Sequence, residues 1–185
     1  EMSKPGSFQR YGGGQFIKAT PTASLDIGTS DFVIEFVLTR HDGQFGQNDG
    51  LLNCLDYGGT ATGYKVSYDA ISGDSTGAGW ARIELVATDS TSVTLTIATA
   101  TNIISDGIIH KIRVVGTRSG SVQVFLDGVS QGSASLATLV GKSIPNMRTN
   151  ISTNNSGSCI CAATFYEVRV TIGNATNNSG GPGGG

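Results

Sequence analysis

Three glutamates, Glu35, Glu84 and Glu167, are the residues of this sequence best suited to acid–base chemistry. Hydrolysis of a glycosidic bond needs two carboxyl groups on either side of the bond, one to donate a proton and one to act as base or nucleophile. Each glutamate stands without a second carboxylate in a pattern that would aim both side chains into one cleft. We therefore expect no catalytic pair and predict that the chain is not an enzyme.

The two histidines, His41 and His110, do not complete a catalytic triad. A chain rich in serine can always supply a Ser–His–Asp set, so the set carries weight only beside a nucleophile motif such as G-x-S-x-G. Neither histidine lies near such a motif. We interpret both as solvated or structural residues.

The three cysteines leave two interpretations open. Cys159 and Cys161 are two residues apart, so on a strand they point to the same face, whereas Cys54 lies in a separate strand-like run. Either Cys54 forms one long-range disulfide with Cys159 or Cys161, as in an oxidising location, or all three are buried thiols. A thiolate metal site is not expected, because it would need further Cys or His ligands at a recognisable spacing.

Aromatic residues indicate a different activity, the binding of sugars. Aromatic rings stack on the apolar faces of sugars, with amide and carboxylate hydrogen bonds beside them. The candidate ligand-binding residues border the glycine-containing loops at 58–63 and 71–79, and they are Tyr57, Tyr64, Tyr68 and Trp80. The alternative interpretation is that these rings fill the rim of the core.

Aspartates at loops and strand ends are the candidates for a calcium site. A hard cation needs several oxygens that converge on one point. The candidates are Asp56, Asp69, Asp74 and Asp127, but no D-x-D-x-D run is present. Isolated aspartates at turns usually serve turn geometry. We expect no cofactor, with calcium as the one alternative.

Four N-x-[ST] sequons lie toward the C-terminus, at Asn150, Asn154, Asn174 and Asn177. This tripeptide is the acceptor for N-linked glycosylation in secreted proteins. The clustering is suggestive of a glycosylated extracellular chain.

Charged residues make up only 14% of the 185 residues, and the formal net charge is −2. Ordinary soluble domains carry about 25% charged residues. No cluster of lysine or arginine is present to attract phosphates, so nucleic acid is not an expected partner. No apolar run reaches the ~18 residues that a membrane span needs, so membrane insertion is not expected either.

Alternation of apolar and polar residues predicts a series of short strands and no helix of useful length. The predicted strands are 15–19, 31–38, 51–57, 64–69, 80–88, 92–98, 110–115, 122–126, 129–135 and 164–172. Segment 136–155 is interpreted as irregular. We expect an N-terminal arm at 1–14, a single domain at 15–173 and a glycine-rich C-terminal tail at 174–185.

Short strands separated by frequent turns are typical of an all-β, two-sheet antiparallel sandwich. The side chains expected to close its two layers are Phe32, Ile34, Phe36, Ile112, Val114 and Leu126. The runs 110–115 and 122–126 are joined by a short link that contains Gly120, which predicts a β-hairpin, and Asp127-Gly128 predicts a second tight turn.

Three segments resemble the laminin-G-like, or concanavalin-A-like, jelly-roll superfamily. The matching residues are Asp31, Phe32, Ile34, Glu35, Phe36 and Val37 in one strand, Asp106, Gly107, His110 and Ile112 in another, and Phe125 to Gly128 in the next. Ile109 stands where the superfamily has a tryptophan. The last strand, from Glu167 to Gly173, resembles the final strand of such modules in bacteriophage structural proteins.

This resemblance implies a jelly-roll fold, in which Glu35 and Glu167 are structural and cap a sheet edge or pair with an arginine such as Arg113 or Arg169. It favours a non-enzymatic attachment module on a virion surface, such as a phage or virus decoration, fibre or tail protein. Copies would assemble through their docked glycine-rich termini and bind other particle proteins or cell-surface glycans. The alternative is a secreted carbohydrate-binding adhesin or extracellular filament subunit.

Overall fold

A computed structural model describes residues 17–20, 22–40, 49–56, 61–70, 79–98, 107–151 and 163–173 of the chain. These residues form two antiparallel sheets packed face to face. The predicted all-β, two-sheet sandwich is therefore confirmed.

The strands follow the predicted runs closely. In chain order they are β1 (Ile17–Ala19), β2 (Phe32–Arg40), β3 (Asp49–Asn53), β4 (Gly63–Ala70), β5 (Gly79–Val86), β6 (Ser92–Ala98), β7 (Ile109–Gly116), β8 (Ser121–Leu126), β9 (Val129–Ser135), β10 (Thr149–Ile151) and β11 (Ala163–Ile172). Two short 3-10 turns, Ala23–Leu25 and Ala137–Leu139, lie between strands.

The strands divide into a six-stranded and a five-stranded sheet. The six-stranded sheet has the order β1-β10-β3-β4-β5-β6, and the five-stranded sheet has the order β11-β2-β7-β8-β9. The predicted β7–β8 hairpin and the tight turn at Asp127 and Gly128 are both present, and both turn residues have positive φ. The chain crosses between the sheets after β1, β2, β6, β9 and β10.

The core lies between the two sheets and is built from alternate residues of each strand. The six residues predicted to close the layers, Phe32, Ile34, Phe36, Ile112, Val114 and Leu126, are all buried. From the six-stranded sheet, Val66, Ile83 and Leu95 occupy one in-register row of this interior. Burial of such side chains contributes roughly 1.5–3 kcal/mol each, so these rows hold the layers together.

Arg118, in the β7–β8 turn, forms hydrogen bonds with the segment between β9 and β10. Its Nη2 donates hydrogen bonds to the backbone carbonyls of Leu139, at 2.6 Å, and Lys142. Its backbone N–H donates to Asp31 Oδ1 at 2.7 Å. Burial lowers the pKa of Arg118, and the charge of Asp31 opposes that change. The turn and the connection are thus bound to the start of β2.

The interpretation of 136–155 as irregular is wrong in part, because this segment contains the Ala137–Leu139 turn and β10. β10 is only three residues long, yet it lies between β1 and β3 in the sheet. Residues 54–56 were predicted to belong to a strand but lie outside β3, which ends at Asn53. Asp56 forms an isolated β-bridge with Thr62.

The predicted arm 1–14 and tail 174–185 lie outside the described residues, so their docking onto neighbouring copies stays a prediction. In the described part of the chain, no helix is both long and apolar enough to cross a membrane.

Gly116, at the end of β7, provides a test of core packing. An alanine Cβ at this position would lie 2.1 Å from Cε1 of the Phe32 ring, which is fully buried and has little room to move. We expect Gly116→Ala to lower the free energy of unfolding by about 2–3 kcal/mol, measured by urea denaturation. Gly132→Ala is the matched control, because its nearest atom would be Ile97 Cγ1 at 3.5 Å. Equal effects of the two substitutions would contradict this packing.

Candidate binding surface

The outer face of the six-stranded sheet carries polar residues at the positions that alternate with the core. We call the group Asn53, Lys65, Ser67, Arg82, Glu84, Thr94, Thr96 and Asn150 the polar face. Because successive side chains of a strand point to opposite sides, a strand that buries Val66 inward must direct Lys65 and Ser67 outward.

The register of the sheet places members of the polar face side by side. Asn150 lies opposite Asn53, Asn53 opposite Lys65, and Lys65 opposite Glu84. Glu84 in turn lies opposite Thr94 of β6. A continuous row of hydrogen-bonding side chains therefore crosses five neighbouring strands.

Glu84 is the electrostatic centre of the polar face, because it lies between two cations. Arg82 Nη2 donates a hydrogen bond to Glu84 Oε1 at 2.9 Å, and Lys65 Nζ lies 3.8 Å from Glu84 Oε2. The Lys65 side chain is only 5% exposed. A buried ammonium group is costly unless an opposite charge compensates it, so Glu84 stabilises Lys65 in its charged form.

The amides of the polar face differ in how their hydrogen bonds are satisfied. Asn53 Oδ1 accepts the backbone N–H of Leu55 at 3.0 Å, which forms the turn where β3 ends. Asn150 is 5% exposed, and its Oδ1 receives no hydrogen bond from the described part of the chain. A buried acceptor of this kind is available to a donor that reaches it.

Exposure increases across the polar face from β10 toward β6. Asn150, Asn53 and Lys65 are buried, whereas the Arg82 side chain is 35% exposed and Thr94 and Thr96 on β6 are exposed. The β5–β6 side of this sheet is therefore the part that a solute from solution can contact.

The sheet positions around Glu84 do not supply the second carboxylate that glycoside hydrolysis requires. Lys65 and Thr94 lie directly opposite Glu84, and Arg82 and Val86 lie two residues away on the same strand. These neighbours can bind and orient hydroxyl groups, but they do not form an acid–base pair.

The predicted aromatic residues do not form one exposed cluster. Tyr64 is fully buried, because it occupies a core-facing position of β4, and its hydroxyl donates to the Leu25 carbonyl at 2.9 Å. Its ring therefore cannot stack on a sugar, and it belongs to the core, which was the alternative interpretation. Tyr68 lies on β4 opposite Ala81, and Trp80 lies on β5 opposite Asp69, while Tyr57 lies outside the described residues.

Cys54 is a buried free cysteine in the core. Burial raises the pKa of its thiol to about 12, although hydrogen bonds with the Tyr64 and Thr149 side chains oppose the rise. Burial, followed by the charge of Cys54, likewise raises the pKa of Tyr64. Cys54 is therefore a thiol and not half of a disulfide in this structure, whereas Cys159 and Cys161 lie outside the described residues.

Asp56, Asp69 and Asp127, the described aspartates among the calcium candidates, lie on different elements of the fold. Asp56 forms an ion pair with Arg148, and Asp127 Oδ2 lies 2.6 Å from His110 Nδ1. Asp69 lies on β4 and Asp74 lies outside the described residues. Among the described side chains, no group of three or more His, Cys, Asp or Glu residues could hold a metal ion.

The sequon asparagines fall into two groups. Asn150 is buried in β10 between β1 and β3, so in the folded domain its amide is not accessible for glycosylation. The other three, Asn154, Asn174 and Asn177, lie outside the described residues, and their glycosylation stays a prediction.

The predicted pairing of Glu35 and Glu167 with arginines is confirmed on the outer face of the five-stranded sheet. Glu35 lies 3.6 Å from Arg113 and 3.8 Å from Arg169, and it also contacts Lys111 at 2.8 Å. Glu167 lies 2.5 Å from Arg169. His110, whose ring contacts Asp127 as described above, is buried and structural, whereas His41 lies outside the described residues.

The residues of the polar face were not predicted from the sequence to lie together. Lys65 and Ser67, Arg82 and Glu84, and Thr94 and Thr96 each stand two residues apart in strand-like runs. That spacing indicated a common outward face, but only the pairing order of the strands brings the three pairs together.

No family model and no curated protein matches this chain. Its fold is similar to solved binding domains of bacterial toxins. The binding domain of Paraclostridial Mosquitocidal Protein 1 is 16% identical, with a TM-score of 0.63 over 85% of this chain and 38% of that chain. The Botulinum Neurotoxin serotype G binding domain is 15% identical, with a TM-score of 0.59 over 93% of this chain and 44% of that chain.

A third solved structure is the binding domain of Botulinum Neurotoxin DC in complex with SialylT, at 8% identity and a TM-score of 0.50 over 78% of this chain and 32% of that chain. At such low identities, these similarities define the fold class, a β-sandwich of the type found in toxin binding domains. The chain spans less than half the length of each of these domains.

Removal of the Glu84 charge tests the electrostatics of the polar face. Glu84→Gln keeps the shape but removes the negative charge that lies 3.8 Å from the buried Lys65 Nζ, so we expect the free energy of unfolding to fall by about 2 kcal/mol. Glu167→Gln is the matched control, because Glu167 is a more exposed carboxylate that also pairs with an arginine, and we expect a change within about 0.5 kcal/mol. Urea denaturation of both variants measures the difference. A Glu84→Gln protein as stable as the control would contradict the role of Glu84.

The buried thiol predicts a dependence of stability on alkaline pH. The folded chain keeps the Cys54 proton up to a pH of about 12, whereas an unfolded chain releases it above the ordinary value of 9.0. The stability that this thiol contributes is therefore complete below pH 9 and is lost as the pH rises toward 12. Between these values, wild type should lose about 1.4 kcal/mol per pH unit more than Cys54→Ala in urea titrations. Parallel pH profiles of the two proteins would show that Cys54 is not a buried thiol.

Proposed function

We propose that the chain is a non-enzymatic carbohydrate-binding module that acts outside the cell. Its contact surface is the β5–β6 side of the polar face, formed by Arg82, Glu84, Thr94 and Thr96. This is the alternative inferred from the sequence, a secreted carbohydrate-binding protein, now assigned to a defined surface.

The observation that carries this proposal is the Arg82–Glu84 pair, whose side chains are 35% and 13% exposed, beside two exposed threonines. The 2.9 Å hydrogen bond holds the guanidinium and carboxylate groups in a fixed relative position. Thr96 lies opposite Arg82, and Thr94 lies opposite Glu84. The four residues therefore present donors and acceptors together, as sugar hydroxyls require.

Trp80, the aromatic candidate on β5, is included in the proposed site because of its strand position alone. It lies two residues before Arg82 on β5, and the two-residue period of a strand places it at a position of the same face. Indole rings bind the apolar faces of sugars, and they combine an apolar ring with one N–H donor. Of the four aromatic candidates from the sequence, Trp80 is the one that the proposal retains in this site.

The structural neighbours support a binding role over a catalytic one, because they are binding domains of toxins and one was solved with SialylT. Those activities belong to longer chains of low identity, so they motivate the choice of ligands to test. The sparse charge of the chain, with 14% charged residues and a net charge of −2, favours neutral or singly acidic sugars over polyanions.

A glycan array, probed with and without calcium, tests the proposal. We expect calcium-independent binding to at least one sugar class, and we expect Arg82→Ala and Trp80→Ala each to weaken it about tenfold or more. Arg169→Ala is the matched control, because Arg169 is an exposed arginine of the other sheet that also pairs with a glutamate. We expect this variant to bind like wild type.

Two outcomes would contradict the assignment. An array that stays silent in both conditions would remove carbohydrate binding. Equal loss in Arg82→Ala and Arg169→Ala would remove the polar face as the site. Loss of binding in the presence of a chelator would instead indicate that binding requires calcium.

A particle-surface role is the second candidate, as a phage or virus decoration, fibre or tail protein. The sequence observations that favour it are the final strand from Glu167 to Gly173 and the glycine-rich ends at 1–14 and 174–185. In this role, copies would associate through their termini. Deletion of 174–185 would then abolish assembly in a sizing experiment, whereas unchanged assembly would argue against docked termini.

A further inference from the structure

The two sheets expose four edge strands, and three of these carry features that prevent edge-to-edge pairing. Natural sheets protect their edges by short length, charged residues, β-bulges or glycine. β1 has three residues and contains Lys18. β11 has a bulge between Phe165 and Glu167 and carries charged residues. β9 has a bulge at Gln131, opposite Val124 and Phe125, and contains Gly132.

β6 lacks all of these protective features. It has seven residues, Ser92–Ala98, with no charge, no proline and no glycine, and its register with β5 is continuous over the whole strand. Within the described part of the chain, β5 is its only strand partner. β6 also has high strand propensity, because it is rich in valine, threonine and isoleucine. An edge of this kind is a template for another strand.

The sequence of β6 is complementary to itself in the antiparallel direction. If two copies pair around Leu95, then Thr94 of one copy lies opposite Thr96 of the other, and Val93 lies opposite Ile97. On the outward face, threonines of the two copies would form cross-strand pairs. On the inward face, the cross-strand pairs would be aliphatic. Both kinds of pair stabilise antiparallel sheets.

The charges beside β6 are also complementary across such a pair. In each copy, Glu84 lies opposite Thr94, and Arg82 lies opposite Thr96. In one copy, Glu84 lies beside Thr94. Across the edge, Thr94 would lie beside Thr96 of the second copy, which in turn lies beside Arg82 of that copy. Two such rows, related by twofold symmetry, place opposite charges in line and no like charges against each other.

We propose that the occupant of the β6 edge is a second copy of this chain, added antiparallel about Leu95 to give a twofold dimer with one continuous sheet across both copies. This pairing is independent of the carbohydrate-binding proposal. It would place the two polar faces on the same side of the dimer, since the antiparallel register keeps outward residues outward.

Sedimentation velocity over a range of protein concentrations tests the dimer. Wild type should sediment at twice the monomer mass. Thr94→Lys/Thr96→Lys places lysines directly opposite one another across the edge and should weaken association roughly a hundredfold. Ser130→Lys/Ser133→Lys adds the same charge to exposed positions of β9 and should leave the dimer intact.

A charge-reversal mixture makes the test specific for the register. Thr94→Glu/Thr96→Glu should be monomeric alone but should form a heterodimer with Thr94→Lys/Thr96→Lys, because each lysine then faces a glutamate. If a variant fails to fold, amide hydrogen exchange of the wild type provides the same information. Exchange of the β6 amides should slow as protein concentration rises, while exchange in β9 stays constant.

Several results would overturn the proposal. These are a wild type that stays monomeric at millimolar concentration, a dimer that survives the β6 lysines, and oppositely charged variants that do not associate. Protection of the β6 amides in a monomer at every concentration would also overturn it, because another segment of the same chain would then cover the β6 edge.

Discussion

The fold depends on one constraint, the two-residue alternation of side chains across strands held in register. In the six-stranded sheet, Leu52, Val66 and Ile83 lie in one row and face the core. The adjacent row carries Lys65 and Glu84. A slip of one residue would exchange the two rows and bring a charged pair into the apolar interior, so burial of the first row fixes the position of the second.

The same constraint explains which parts of the fold could be predicted from the sequence. Strands with six or more residues were predicted with nearly correct bounds, and β6 and β9 match their predicted ranges, whereas the five-residue β3 lies at Asp49–Asn53 instead of 51–57. β10 was missed because three residues, two of them polar, give no period to detect. Its place in the sheet depends on pairing with β1 and β3, which lie far from it in sequence.

The candidate site was less predictable than the fold, because exposure depends on neighbours that the sequence does not name. Tyr64 was a candidate ligand-binding residue, and the adjacent Lys65 is charged. Tyr64 faces the core, and Lys65 is buried against Glu84, a residue nineteen positions away. Asn150 belongs to a glycosylation sequon in the sequence, but in the structure it lies on β10, a strand that is paired on both sides. In each case, long-range strand order decides the role of the side chain.

The polar face on the six-stranded sheet and the ion pairs on the five-stranded sheet show two uses of the same residue types. Glu35 is surrounded by three cations that neutralise it, which suits a structural role. Glu84 and Arg82 instead lie beside exposed threonines at the open side of their sheet. We assign binding to the second arrangement because it combines the partly exposed Arg82 with two exposed threonine hydroxyls, whereas Glu35 is neutralised within its own ion-pair cluster.

The most direct measurement of this central claim is a map of backbone amide chemical shifts during titration with a sugar that the protein binds. We expect the largest changes on β4, β5 and β6, around Ser67, Arg82, Glu84 and Thr94. Changes confined to β2, β7 and β8 of the other sheet would contradict it.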